Sequence, residues 1–203
     1  MDSPGSTRHR SRAAIATGVI FVLTVGQLLV ATVAGDNLEQ FAGKGFGARL
    51  IAYPLLMLVV PALWLLRRRQ TTAGVGDVPW TAFALVMSPF LVDVTGNTLN
   101  LYDTLVWWDD ANHFVNWALL CGGLGLLLSR VEWSPRWALV VAVVGLGSVL
   151  ALCWELGEWY TFIRHGTEIE TAYEDTIADQ TLGTLGAVVA GLLGGRMAPR
   201  RQT

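Results

Sequence analysis

Apolar residues run along this chain in long blocks, separated by short polar or basic stretches, rather than alternating with polar ones. Blocks at 13–34, 48–66, 79–100, 107–129, 136–160 and 175–195 are each close to the roughly 20 residues that a helix needs to cross a hydrocarbon core of about 30 Å. Backbone N–H and C=O groups in lipid must be satisfied within their own segment, and no alternating β-barrel pattern is present. The pattern therefore predicts an all-α polytopic membrane bundle of about six transmembrane helices, forming one transmembrane domain over 13–195. Basic tails flank it at 1–12 and 196–203. Arg8, Arg10 and Arg12 ahead of an apolar run superficially match a signal peptide, but the run from Ala13 to Ala34 is longer than the roughly 7–15 apolar residues of such a signal. It reads as a retained helix.

Composition agrees with this reading: 53% of residues are hydrophobic and 15% charged, a balance outside the usual range for soluble domains. The signs of the charges are also segregated. With the N-terminus inside, Arg8, Arg10, Arg12, Arg67, Arg68, Arg69, Arg130, Arg136, Arg196, Arg200 and Arg201 fall on the cytoplasmic side, and only Lys44, Arg49 and Arg164 fall outside. Eleven against three satisfies the positive-inside rule and requires an even number of spans, with the C-terminus also cytoplasmic. Trp107, Trp108 and Trp159 then mark the outer boundary, and Trp64, Trp80, Trp133 and Trp137 the inner one. Carboxylates divide the other way: Asp2, Asp77 and Glu132 lie inside, and the remaining thirteen lie outside or in the outer half of the membrane. Asp36, Glu39, Glu168 and Glu170 fit ordinary outer loops, whereas the carboxylates within the helices need another explanation.

Successive helical positions rotate by about 100°, which identifies the polar residues that share a face. The third span places Asp93, Gly96, Asn97 and Asn100 on one side after Pro89, where a kink is expected; the short segment that follows carries Asp103. The fourth places Asp109, Asn112, His113 and Asn116 together with Asp110 at the edge, and Asp109 and His113 form an i,i+4 pair. The fifth carries Glu155 and Glu158, and the small residues Ser148 and Ala151 behind Glu155 turn that face into the bundle. The sixth opens with Glu174 and Asp175 and carries Asp179 on the same face as Gly183, Gly186 and Ala190. By helix rise, Asp93, His113, Glu155 and Asp179 are expected roughly 6–10 Å below the outer ends of their helices, in one layer. The first two spans carry no acid or histidine within the membrane and read as scaffold.

A charged side chain within a membrane helix costs several kcal/mol, so repetition at one depth calls for compensation by pairing, water or a metal. Three chemistries fit. One is a hydrogen-bonded polar plug that fixes helix register. A second is a proton or cation relay opening outward. In the third, Asp109, His113, Glu155 and Asp179 hold a divalent cation such as Mg²⁺, Mn²⁺, Zn²⁺ or iron, with Glu158 or Asp175 as general base. The density of carboxylates favours the cation over an empty plug. His165 reads as a solvated loop residue, His9 as part of the tail, and Arg67 to Arg69 as a topology anchor at lipid headgroups. Cys121 and Cys153 fall at different depths and show no metal-ligand spacing. No Gly-rich phosphate loop, Ser-His-Asp order or nucleic-acid signature is present, and Gly43, Gly45 and Gly47 sit in a short loop with no strand before them.

The pattern Asp93-x3-Asn97, Tyr102-Asp103, Trp108-Asp109-x3-His113-Phe114, Glu155-x2-Glu158-Trp159 and Tyr173-x-Asp175-Thr176-x2-Asp179, followed by Gly183 and Gly186, resembles the YjdF-like family of small bacterial inner-membrane proteins over roughly residues 80–195. More distantly, the Asp-x3-His-Phe element, the mid-helix Glu and the final Asp before a glycine-rich helix resemble VanZ-like proteins, which are linked to glycopeptide resistance and the cell envelope. Glu158 stands where a glutamine is expected in VanZ-like proteins, and no clear arginine precedes the last Asp. The YjdF-like resemblance implies a multi-pass protein of the bacterial plasma membrane and names no reaction. Together these features lead to three expectations: a metal-assisted cell-envelope enzyme acting on a lipid-linked or membrane-embedded substrate, a cation- or proton-coupled transporter or channel, or a non-catalytic assembly or stress protein.

Overall fold

The structure, a computed structural model, describes residues 4–70, 78–164 and 172–197. Asp2, Asp77, His165, Glu168, Glu170, Arg200 and Arg201 lie outside the described residues. The chain order is α1 (Pro4–Ala34), a 3₁₀ turn (Gly35–Asn37), α2 (Phe46–Gln70), α3 (Trp80–Thr98), α4 (Leu101–Thr104), α5 (Trp108–Leu128), α6 (Trp137–Glu158), a π turn (Trp159–Ile163) and α7 (Ala172–Met197). No strand occurs among the described residues. The six long helices match the six apolar blocks to within a few residues, except that α1 begins inside the basic tail and α4 falls where the pattern gave no element.

Five of these helices are long and apolar enough to cross a membrane: 8–34, 46–69, 108–128, 137–161 and 172–196. The sequence pattern predicts six; α3 is not among the five. Within its 19 residues α3 carries Pro89, Asp93, Gly96 and Asn97, which lower its mean hydropathy. Large apolar side chains such as Ile15, Val22, Val33, Ile51, Leu55 and Leu63 remain exposed on α1 and α2. Continuous apolar surface of that kind is stable against lipid, not water.

The contacts divide the chain into two compact units, Met1–Val106 and Trp107–Thr203. In the first, α1 packs on α3 and α2 around Leu28, Met57, Phe83 and Val94. Its threonines are accommodated because Thr17, Thr24 and Thr32 each donate to the carbonyl four residues back, at 2.9, 2.8 and 2.7 Å. Two polar contacts set the register of α1 on α3: Thr17 Oγ1 to Trp80 O (3.1 Å) and Gln27 Nε2 to Thr95 Oγ1 (3.1 Å). The loop between α1 and α2 turns through Gly43 and Gly45 at φ of 72° and 65°, a backbone region where a side chain is strained, and this accounts for glycines that have no phosphate to bind.

In the second unit, α5 and α7 run parallel and α6 runs antiparallel to both, around Trp117, Cys121, Leu139, Val143, Ala151, Ala187 and Ala190. Small residues on α7 allow this approach. A Cβ on Gly186 would collide with the Phe114 carbonyl oxygen and stand 2.8 Å from Ala118 N. One on Gly183 would meet Trp117 Cδ1 at 2.7 Å, and one on Gly147 of α6 would meet Cys121 Sγ at 2.6 Å. The glycine face inferred from the sequence is therefore the contact surface, and it turns Asp179 inward.

Candidate metal centre

The direction of the three helices in the second unit brings the start of α5, the end of α6 and the start of α7 to one end. His113 lies one turn into α5, directly after Asp109 on the same face. Its Nε2 stands 3.6 Å from Asp109 Oδ1, and its Nδ1 stands 3.7 Å from both Glu155 Oε1 and Asp179 Oδ1. The environment is graded across the ring: the Asp109 side chain is 45% exposed, whereas Glu155 and Asp179 are each 4% exposed.

Ala151 and Gly183, directly beneath this end, are the reason both carboxylates can reach the imidazole, because larger residues there would hold α7 away. The ligand-bearing atoms form two triads that share His113: Asp109, His113 and Asp179, and His113, Glu155 and Glu158. Within each triad the atoms lie within 4.8 Å of one another. The expectation of one shell built from Asp109, His113, Glu155 and Asp179 thus resolves into two overlapping sets, and Glu158 joins as a ligand candidate beside its expected role as base. Asp175 is exposed at the start of α7.

Glu155 Oε1 is buried and has no hydrogen-bond partner among the described residues, since His113 at 3.7 Å is beyond hydrogen-bond length. A buried acceptor left unmet costs about 1–3 kcal/mol, more when it is charged. In a plug that exists to satisfy polar groups, this oxygen is unexplained. Asn116 Nδ2 donates to Asn112 Oδ1 at 2.8 Å, which forms an amide pair on α5, and Asp110 is exposed.

The remaining residues of the expected layer belong to the first unit and have partners there. Asp93 accepts from Tyr53 Oη at 2.7 Å, Tyr102 Oη at 2.8 Å and Arg49 at 3.2 Å. Asn97 donates to the Asp93 carbonyl at 3.1 Å, and Asp103 pairs with Lys44 at 2.8 Å as a largely exposed bridge. The expectation that the first two helices are only scaffold is corrected here, because α2 supplies Arg49 and Tyr53. These residues lie at i,i+4 on one face of α2, a spacing the sequence displays, but the spacing does not show that both reach Asp93 on α3.

Comparison with known proteins gives one family: the model of DUF2238, described as predicted membrane protein, matches residues 18–200. This is the YjdF-like family that the motifs resemble. No curated protein and no solved structure matches the chain.

Proposed function

The chain belongs to the DUF2238 family of predicted membrane proteins, and we propose that it is a six-span protein of the bacterial plasma membrane whose carboxylate–histidine centre binds a divalent cation at the outer face. Helix α3 serves as the sixth span, since its 19 residues reach about 28 Å at the helical rise. The distribution of eleven basic residues against three supports cytoplasmic termini.

The observation that carries the cation is Glu155 Oε1, buried without a donor and directed at an imidazole beside a second buried carboxylate. For metal–ligand bonds of roughly 2.0–2.2 Å, tetrahedral ligands stand roughly 3.3–3.6 Å apart, close to the 3.7 Å that separates His113 Nδ1 from both Glu155 Oε1 and Asp179 Oδ1. Carboxylates with one imidazole suit Mg²⁺, Mn²⁺, Zn²⁺ or iron. Such an ion supplies Lewis acidity toward a phosphoryl or carbonyl oxygen. In this reading His113 holds the ion through Nδ1, the nitrogen that Glu155 and Asp179 face, Asp109 on the Nε2 side orients the ring, and Glu158 or Asp175 takes a proton from the attacking water. The substrate is lipid-linked or membrane-embedded, and the work is that of a cell-envelope or lipid-modifying enzyme.

One observation favours the relay reading. The imidazole faces an exposed carboxylate on one nitrogen and buried ones on the other, which is the arrangement for passing protons inward. Against it, the opposite halves of these helices carry almost no charge, so a path has nowhere to continue. Metal analysis of the purified full chain separates the readings. Wild type carries stoichiometric metal under metal-replete conditions, and Glu155→Gln and Asp179→Asn lose it. Metal-free wild type, with ion flux in liposomes that the same variants abolish, would establish the relay instead.

A further inference from the structure

Beyond Glu158 the α6 helix widens into the π turn over Trp159–Ile163, closed by the Arg164 N–H donating to Trp159 O at 3.0 Å. The extra residue in the turn sets Arg164 just past the end of the 137–161 span, with its guanidinium stacked on the Tyr160 ring at 3.7 Å from the centroid. Trp159 and Tyr160 are both exposed beside it. The Nε of Arg164 is buried and has no acceptor among the described residues. A guanidinium fixed on an aromatic face with an unmet donor is organised to take an anion.

Charge placement narrows the anion further. The other described arginines of this unit, Arg130, Arg136 and Arg196, sit at the opposite ends of α5, α6 and α7. Arg164 is therefore the described cation at the end where Asp109, Glu155, Glu158, Asp175 and Asp179 gather. A free anion in solution would meet that carboxylate field before reaching the guanidinium. Exposed tryptophan and tyrosine at the end of a membrane span sit at headgroup depth, so an anion carried by a lipid is already at the right level.

We infer that Arg164, braced on Tyr160, binds the phosphate of a lipid headgroup. On the reading of the neighbouring centre as a metal site, it makes a phosphate-bearing lipid the substrate class of that centre. Arg164 is a positioning residue in this scheme: it holds the headgroup, and the carboxylate–histidine residues act on it.

The test is equilibrium binding by native mass spectrometry of the detergent-purified full chain, with dihexanoyl phosphatidic acid, dihexanoylglycerol and inorganic phosphate as probes. Phosphatidic acid binds wild type and dihexanoylglycerol does not. Arg164→Ala weakens phosphatidic acid about tenfold, as expected for losing a charge-assisted hydrogen bond. Arg164→Lys gives an intermediate loss, and Arg196→Ala leaves binding unchanged. The Arg164 dependence persists after chelation, so a failure of the metal reading appears in metal content and not in this assay. The inference is overturned if Arg164→Ala binds as wild type does, if Arg196→Ala loses as much, or if inorganic phosphate at equal concentration displaces the lipid.

Discussion

Replacing Gly186 with alanine tests whether the candidate centre depends on helix packing that no ligand residue controls. The added Cβ would overlap the Phe114 carbonyl oxygen and stand 2.8 Å from Ala118 N, both backbone atoms of α5 that cannot rotate away. Relief requires α7 to move outward from α5, and the movement carries Asp179 away from His113, where the present separation is 3.7 Å. Overpacking of this kind costs about 1–3 kcal/mol, and the backbone partner places it at the upper end, about 2–3 kcal/mol. At about 2–4 °C per kcal/mol for a chain of this size, the melting temperature should fall by roughly 4–12 °C. The matched control is Gly122→Ala on α5, where an added Cβ meets nothing within 4 Å and helix propensity improves slightly. Thermal unfolding of both variants in detergent decides the matter, together with metal content. A Gly186→Ala protein that melts within about 1 °C of wild type, or an equal loss in Gly122→Ala, refutes the packing argument.

Asp93→Ala removes the acceptor for Tyr53, Tyr102 and Arg49 and should lower stability by about 1.5–3 kcal/mol, the cost of losing hydrogen bonds to a part-buried charged group, while leaving metal content at the wild-type level; unfolding and metal analysis on one preparation check both. Asp103→Ala breaks only the largely exposed bridge to Lys44 and should shift stability by less than about 1 kcal/mol in the same unfolding assay. Adding Mn²⁺ or Zn²⁺ to chelated wild type at about 100 times its dissociation constant should raise stability by about 2.7 kcal/mol, and the thermal shift should vanish in Asp179→Asn.

The parts of the fold legible in the sequence were those set by one-dimensional pattern. Apolar block length located the six long helices, and small residues at Ala151, Gly183 and Gly186 pointed Glu155 and Asp179 inward, where the structure places them beside His113. The Asp109 and His113 pair was legible for the same reason, since i,i+4 spacing alone puts two side chains together. Elements set by side-chain reach across helices were not legible. The clamp on Asp93 depends on Arg49 and Tyr53 crossing from α2 and on Tyr102 folding back from α4, a single turn entered through Asn100 at φ 57°. The division of the ligands into two triads depends on which imidazole nitrogen faces which carboxylate, a rotamer property that periodicity does not encode. The weaker apolar character of α3 was present in the sequence as Pro89, Asp93 and Asn97.

The central claim is that His113 ligates a cation. X-ray absorption at the edge of the bound metal in the loaded, purified protein tests it most directly. The expected spectrum shows a shell of oxygen with one imidazole nitrogen at roughly 2.0–2.2 Å, and His113→Ala loses the imidazole scattering. A spectrum with oxygen ligands alone, or one identical in wild type and His113→Ala, would contradict it.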